Sequence, residues 1–311
     1  MKKEKLQTKY LYFFKYIFYI FLIIIFTIVY ILYKNKYNKI KNMKVCICTV
    51  GKNENLYIRE FIEHYKKYGI DKIFLYDNNN IEGEKFEDKI MDFINEGFIE
   101  IKNWRGIRNP QIKIYHDCYK RNYNIFDWLI FNDIDEFIHL KKKSIKFYLS
   151  NTKFKKCDKI YLNWVLHTDN NLMFYENKSL AERFTEIYKN INDKRFRENN
   201  SGKTILRGHI PNIKITNVHS ISNKLRFCDG FGRKIKSSKP DLKYFYFDHY
   251  YSKSIEEFID KIKKGDVNNI SNSYKIRRFF FFNKITYEKI DYLERELNIK
   301  LLNFRKRIKF K

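Results

Sequence analysis

At 311 residues the chain is long enough for one large domain of two or three layers or for two small ones, and its 44% hydrophobic content allows a sizeable core. The formal charge of +27 invites a nucleic-acid reading, yet the lysines are scattered, with a denser run only at the end. Lys, Asn, Ile, Tyr and Phe are abundant together, so the expectation is a solvated basic surface that favours anionic membranes and phosphorylated substrates, with no nucleic-acid partner.

Tyr16–Tyr33 (YIFYIFLIIIFTIVYILY) carries no charge. With Leu11–Phe14 it is long enough to cross a bilayer, and no small-residue cleavage site follows. Residues 1–10 read as a tail, 11–33 as an uncleaved single-pass membrane anchor and 34–43 as a polar, basic linker. Lys2, Lys3, Lys5 and Lys9 are matched by Lys34, Lys36, Lys39, Lys41 and Lys44. The charge bias therefore leaves the Golgi lumen and the cytoplasmic face both open.

Residues 44–300 read as one domain, with a basic C-terminal tail over 301–311. Val45–Val50 (VCICTV) predicts a buried strand. Ile58, Phe61, Ile62 and Tyr65 at helical spacing predict a helix over 55–68, stopped by Gly69. Ile73–Tyr76 predicts a second strand, so the segment is a βαβ unit and implies a parallel sheet. Phe86–Asn95 predicts a helix, Phe98–Ile101 a strand, Gln111–Arg121 a helix and Trp128–Phe131 a strand. In the second half, Ile160–Leu166 and Tyr244–Asp248 predict strands, Lys203–Arg207 is a basic stretch, and Ser254-x-x-Glu257 is a capping box opening a helix that ends near Gly265. The five cysteines, Cys46, Cys48, Cys118, Cys157 and Cys228, are odd in number and lack zinc spacing. No disulfide framework is expected, and Cys46 and Cys48 read as small core residues.

Ligands of open parallel sheets sit beyond the carboxyl ends of the strands. Three segments lie at such ends: TVGKNE, DNNN, and NDIDE after Trp128–Phe131. The first carries Gly51 but no G-x-G-x-x-G, which disfavours a dinucleotide enzyme. Asp133 and Asp135, two apart in an extended segment, point the same way. Hard oxygen ligands in that arrangement suit Mn²⁺ or Mg²⁺, which also bind substrate phosphates. The plain alternative is a solvated turn.

The ordered segments TVGKNENLYIREFIEHYKKYGIDKIFLYDNNN, NPQIKIYHDCYKRN, WLIFNDIDEFI, the Asn163–Leu166 strand with DNNL and ERF, and HYYSKSIEEFIDKIKKG resemble glycosyltransferase family 92 and related DUF23-type or capsular glycosyltransferases over residues 44–266. The resemblance implies a GT-A α/β fold: a mixed central sheet flanked by helices, preceded here by the transmembrane helix. It also implies a hexosyltransferase that inverts the anomeric carbon. The donor would be a nucleotide sugar, a UDP-sugar with galactose leading, and the acceptor a glycan.

By the same resemblance, Thr49, Gly51, Asn53 and Glu54 pass under the nucleotide, Asp77 and Asn78 contact base or ribose, and Gln111 and Asp117 lie beside the donor. Asp133 and Asp135 hold the metal, and His249 completes its shell. Lys203 and Arg207 either hold the diphosphate or are solvated. Inversion needs a general base across the sugar from the diphosphate; Asp169 is the first candidate and Glu136 the second. Asn132 stands where isoleucine is frequent, a departure of little weight. Asp77 reads equally as a turn cap, His249 and His219 as core histidines, and Glu182–Arg183 as a structural ion pair. Two other readings compete: a membrane-bound nucleic-acid binder and an inactive glycan-binding relative.

Overall fold

The computed structural model describes residues 2–141, 144–188, 201–219, 221, 225–235, 245–263, 265 and 271–309, with side chains for those between 15 and 308. The chain forms two compact units, Met1–Met43 and Lys44–Lys311.

The first unit is a single helix, α1 (Lys2–Asn42). Its stretch Lys15–Asn42 is long and apolar enough to cross a membrane by length and composition. The helix continues through the segment read as a linker, because KNKYNKIKN contains neither glycine nor proline to stop it.

The second unit begins with β1 (Val45–Gly51), α2 (Ile58–Lys67), β2 (Lys72–Asp77), α3 (Glu87–Asn95), β3 (Ile99–Asn103), α4 (Gln111–Asn122) and β4 (Trp128–Phe131). Every residue of β1 is buried, as expected of a strand covered on both faces. It pairs in parallel with β2 on one side and β4 on the other, and β3 extends the parallel half beyond β2. Helix α2 buries Ile58, Phe61, Ile62 and Tyr65. It stops at Gly69, whose φ of +82° suits a residue without a Cβ.

Next come β5 (Glu136–Leu140), α5 (Ile145–Leu149), β6 (Lys159–Leu166), α6 (Leu180–Arg183), β7 (Gly202–Arg207), β8 (Phe227–Cys228) and β9 (Phe245–His249). The strands run in the order β3-β2-β1-β4-β7-β6-β9-β5, with β8 pairing to β6. Strand β7 is antiparallel to both β4 and β6, and β5 is antiparallel to β9, so the sheet is mixed. The segment read as a basic stretch, with Lys203 and Arg207 either holding the diphosphate or solvated, is thus β7, an interior strand. Gly202 opens it where β7 crowds β6; a Cβ there would collide with the Leu162 carbonyl. Tyr244, expected in the last strand, lies outside the described residues.

Helices α7 (Ile255–Lys263), α8 (Asn272–Phe282), α9 (Tyr287–Leu297) and α10 (Leu302–Lys309) complete the unit. They share an apolar cluster that includes Phe258, Phe279, Ile290 and Leu293. The expected capping box is present: Ser254 Oγ accepts from Glu257 N at 3.3 Å and Glu257 Oε2 from Ser254 N at 3.0 Å. Part of the expected C-terminal tail is α10; residues 310 and 311 lie outside the described residues.

Four cysteines correct the sequence reading. Cys48 of β1 is bonded to Cys118 of α4, and Cys157 to Cys228 of β8, with Cα–Cα distances of 6.1 and 5.8 Å. Cys46 remains a buried free thiol. The pairs are 70 and 71 residues apart, so no local spacing announces them. Closing loops of that length removes much unfolded-state entropy. Cys157→Ser with Cys228→Ser is expected to lower stability by about 2–4 kcal/mol in urea denaturation of the full chain; an unchanged midpoint would show the second bridge to be dispensable.

Candidate active site

The site is assembled where β1, β4 and β9 end and β5 begins, near α7. Gly51 closes β1, and a Cβ there would collide with the Phe86 and Ile134 side chains. Because Ile134 lies between the two aspartates, this contact seats the acidic turn against the β1 loop. Asn53 follows with a φ of +56°, and its amide donates to Asn79 Oδ1 at 2.6 Å.

Residues 132–135 form a turn rather than a continued strand, so Asp133 and Asp135 do not share one set of partners. Asp133 accepts from Gln111 Nε2 at 2.8 Å and from Lys203 Nζ at 2.9 Å. Asp135 accepts from Lys261 Nζ at 3.0 Å, and His249 Nε2 lies 3.5 Å from its other oxygen. The turn itself is clamped: Asn132 Nδ2 donates to Tyr65 Oη and to the Glu136 carbonyl, both at 2.9 Å. Asn132 therefore carries more weight than the sequence reading gave it.

Glu136 and His249 are register partners across β5 and β9, and Asp135 precedes Glu136. The ladder thus places two carboxylates and an imidazole together, with ligand atoms of Asp135, Glu136 and His249 all within 4.8 Å of one another. All three residues are buried. Glu136 Oε1 and His249 Nδ1 are buried without a hydrogen-bond partner among the described residues. Unpaired buried polar atoms are costly, and mixed oxygen and nitrogen donors suit Mn²⁺ as well as zinc-like ions. This trio fits a divalent cation. Asp133 stands beside it, held by Gln111 and Lys203.

The charges are tuned locally. Burial raises the Asp135 carboxyl, but Lys261 and His249 outweigh it and hold the group well below the usual carboxylate range. Burial pushes Glu136 up, only partly offset by Lys203 at 3.9 Å. Lys203 stays charged: burial works against its ammonium, and Asp133 and Glu136 more than compensate. Burial lowers the His249 imidazole, with Asp135 opposing, which keeps a nitrogen available as a ligand.

Asp133, Asp135, Lys203, His249 and Lys261 border a cleft of about 470 Å³, with Glu136 enclosed beside them. Of the residues singled out in the sequence, Asn53, Glu54, Gln111, Asp133, Asp135, Lys203, His219 and His249 line it. Thr49 is buried in β1, away from the lining. Asp77 and Asn78 brace the loop from behind. Asp77 accepts from Asn79 N at 2.8 Å, and Asn78 donates its amide to the Gly51 carbonyl at 2.9 Å. The turn role is therefore the one this geometry gives Asp77. Asp117 also stands off the lining; it accepts from Tyr76 Oη at 2.7 Å and pairs with Arg121.

Neither residue read as a general base reaches the cleft. Asp169 is buried in an ion pair with Lys289, a residue 120 positions away. Glu136 has no exposed surface and does not line the cleft. Glu182 and Arg183 are not paired with each other. Glu182 closes a capping box with Ser179, and Arg183 binds the buried Glu257 at 2.7 Å.

The sequence reading missed Trp164, Tyr251, Lys253, Asp260, Lys261 and Arg278, all on the lining. Lys253 has a φ of +55°, lies 3.5 Å above the Tyr57 ring and pairs with Glu54 at 2.9 Å. The spacing Glu257, Asp260, Lys261 on a helix was available as a signal, since positions three and four apart share a face. Such a face ordinarily reads as solvated.

The glycosyltransferase family 92 model matches residues 41–278. A family 92 protein of Ricinus communis is 30% identical over 106 residues, covering 32% of this chain and 18% of that protein. One of Oryza sativa subsp. japonica is 27% identical over 107 residues, 34% of this chain and 18% of that protein. One of Arabidopsis thaliana is 26% identical over 133 residues, 43% and 23% respectively. The chain thus aligns with less than about a quarter of these relatives' length. Among solved structures, S. aureus TarS 1-349 in complex with UDP-GlcNAc is 12% identical with a TM-score of 0.43, covering 82% of this chain and 80% of that one. GalNAc-T7 with UDP, GalNAc and Mn²⁺ is 13% identical with a TM-score of 0.32, covering 41% and 24%.

Proposed function

Because the chain belongs to glycosyltransferase family 92, we propose that it is a membrane-anchored, metal-dependent transferase that moves a sugar from a nucleotide-sugar donor to a glycan acceptor with inversion. The observation that carries this reading is the buried Asp135, Glu136 and His249 trio at the edge of a cleft that Asp133, Gln111 and Lys203 also border. When bound there, Mn²⁺ or Mg²⁺ would neutralise charge on the leaving diphosphate. The protein supplies the rest. Lys203 and Lys261 add fixed positive charge beside the trio, and the Gly51–Glu54 loop offers backbone close to the nucleotide. Helix α1 supplies the anchor. UDP-galactose leads among donors on the strength of the family resemblance.

The test uses the full chain in detergent with UDP- and GDP-sugars. Mn²⁺ with UDP is expected to raise the melting temperature by several degrees, and EDTA to stop donor turnover. Turnover unaffected by chelation would remove the metal from the proposal. Absence of any UDP or GDP binding would remove the transferase reading itself.

A further inference from the structure

An inverting transfer needs a base that meets the incoming hydroxyl, and the two residues first considered for it are out of reach of the cleft. Five carboxylates line the cleft: Glu54, Asp133, Asp135, Glu257 and Asp260. Four are committed. Glu54 is held by Lys253, Asp133 by Gln111 and Lys203, and Asp135 by Lys261. Glu257 is buried against Arg183 and accepts from Tyr57 Oη at 2.6 Å. Asp260 is exposed; its one charged neighbour among the described residues is Lys263, on the same helix, whose ammonium is hydrogen-bonded to Glu296.

Its position follows from helix geometry. Glu257 and Lys261 are one turn apart on α7 and both point into the site, Glu257 toward Arg183 and Lys261 toward Asp135. Asp260 lies three residues after Glu257, so the two share a face, and Asp260 lines the cleft. Glu136, His249 and Lys203 come from the sheet and Asp135 from the turn that enters β5, whereas Asp260 comes from the helix that reaches across to them through Lys261.

Resting on the transferase reading above, we propose that Asp260 is the general base. Its carboxylate takes the proton of the acceptor hydroxyl as that oxygen bonds to the anomeric carbon. The bond from that carbon to the donor's phosphate oxygen breaks, and its electron pair leaves on the nucleoside diphosphate. Protonated Asp260 then returns its proton to water, which its exposure permits. A carboxylate as enclosed as Glu136 could neither meet an acceptor arriving from solvent nor be regenerated by it.

The experiment compares the wild-type full chain with Asp260→Asn and Asp260→Glu, using a donor that the wild type turns over, Mn²⁺ and acceptor. Loss of a positioned base costs about 10²–10⁴ in rate. Asp260→Asn is expected to lose that much kcat while binding Mn²⁺ and UDP within about twofold of wild type, and its kcat/KM should lose the acidic limb of the pH profile. Asp260→Glu should retain part of the activity. Transfer by Asp260→Asn within about threefold of wild type would overturn the assignment. So would an equal loss of UDP affinity and rate, which would make Asp260 a donor-binding group. A wild-type chain that binds no UDP with Mn²⁺ present would instead overturn the transferase reading, and this role with it.

Discussion

Asp135→Ala is expected to reduce donor turnover about 10³-fold or more, since a metal acting on a leaving diphosphate contributes several kcal/mol of charge stabilisation. Asp135 is the residue on which the proposed centre converges. It faces His249, shares the donor set with Glu136 and is the partner of Lys261. Alanine removes a ligand and leaves the Lys261 ammonium without its counter-charge. Asp135→Asn keeps the shape and discards the charge, so it separates the two effects. Both variants should lose the Mn²⁺-dependent rise in melting temperature. Initial rates against Mn²⁺ concentration provide the measurement, and wild-type turnover in either variant would sink the metal role.

The largest loss of stability is expected from Arg183→Met. The Arg183 and Glu257 side chains are 1% and 4% exposed and meet at 2.7 Å. Removing one member of a buried pair leaves the other charge uncompensated, at a cost of about 3–5 kcal/mol. Burial raises the Glu257 carboxyl, but Arg183, Ser254 and Tyr57 outweigh it and hold its pKa below the ordinary value. In the native protein Glu257 therefore contributes stability that is present at neutral pH and lost as pH falls through its folded pKa. In Arg183→Met the sign reverses. Burial then prevails, the folded pKa rises, and stability is lost as pH climbs through it. Urea midpoints at pH 5 and pH 8 test the reversal in the variant, wild-type midpoints followed below about pH 4 test the native part, and Glu257→Gln should recover much of the loss at pH 8. A variant as stable as wild type at both pH values would show the pair to be replaceable.

Much of the first half was legible because its signals are local. VCICTV has no polar position to expose, and Ile58, Phe61, Ile62 and Tyr65 mark one helical face. The acidic turn after β4 was visible for the same reason. What escaped is set by partners far away in the chain. Lys203 reads in the sequence as either a diphosphate contact or a solvated side chain, and its burial depends on β7 lying between β4 and β6. Asp169 looks like a base until Lys289 closes on it, and Asp117 like a donor contact until Tyr76 claims it. Asn132 seemed a neutral substitution because its value depends on Tyr65, 67 residues earlier. The α7 face was misjudged because a polar helix stripe carries no label saying that a cleft, rather than water, lies opposite.

The two sulfur bridges have a consequence beyond rigidity. Such cross-links persist where the surroundings are oxidising and are rare where glutathione and thioredoxin keep thiols reduced. Material made in a reducing bacterial cytosol would then carry open thiols at Cys48, Cys118, Cys157 and Cys228, and secretory expression is the route to the cross-linked form.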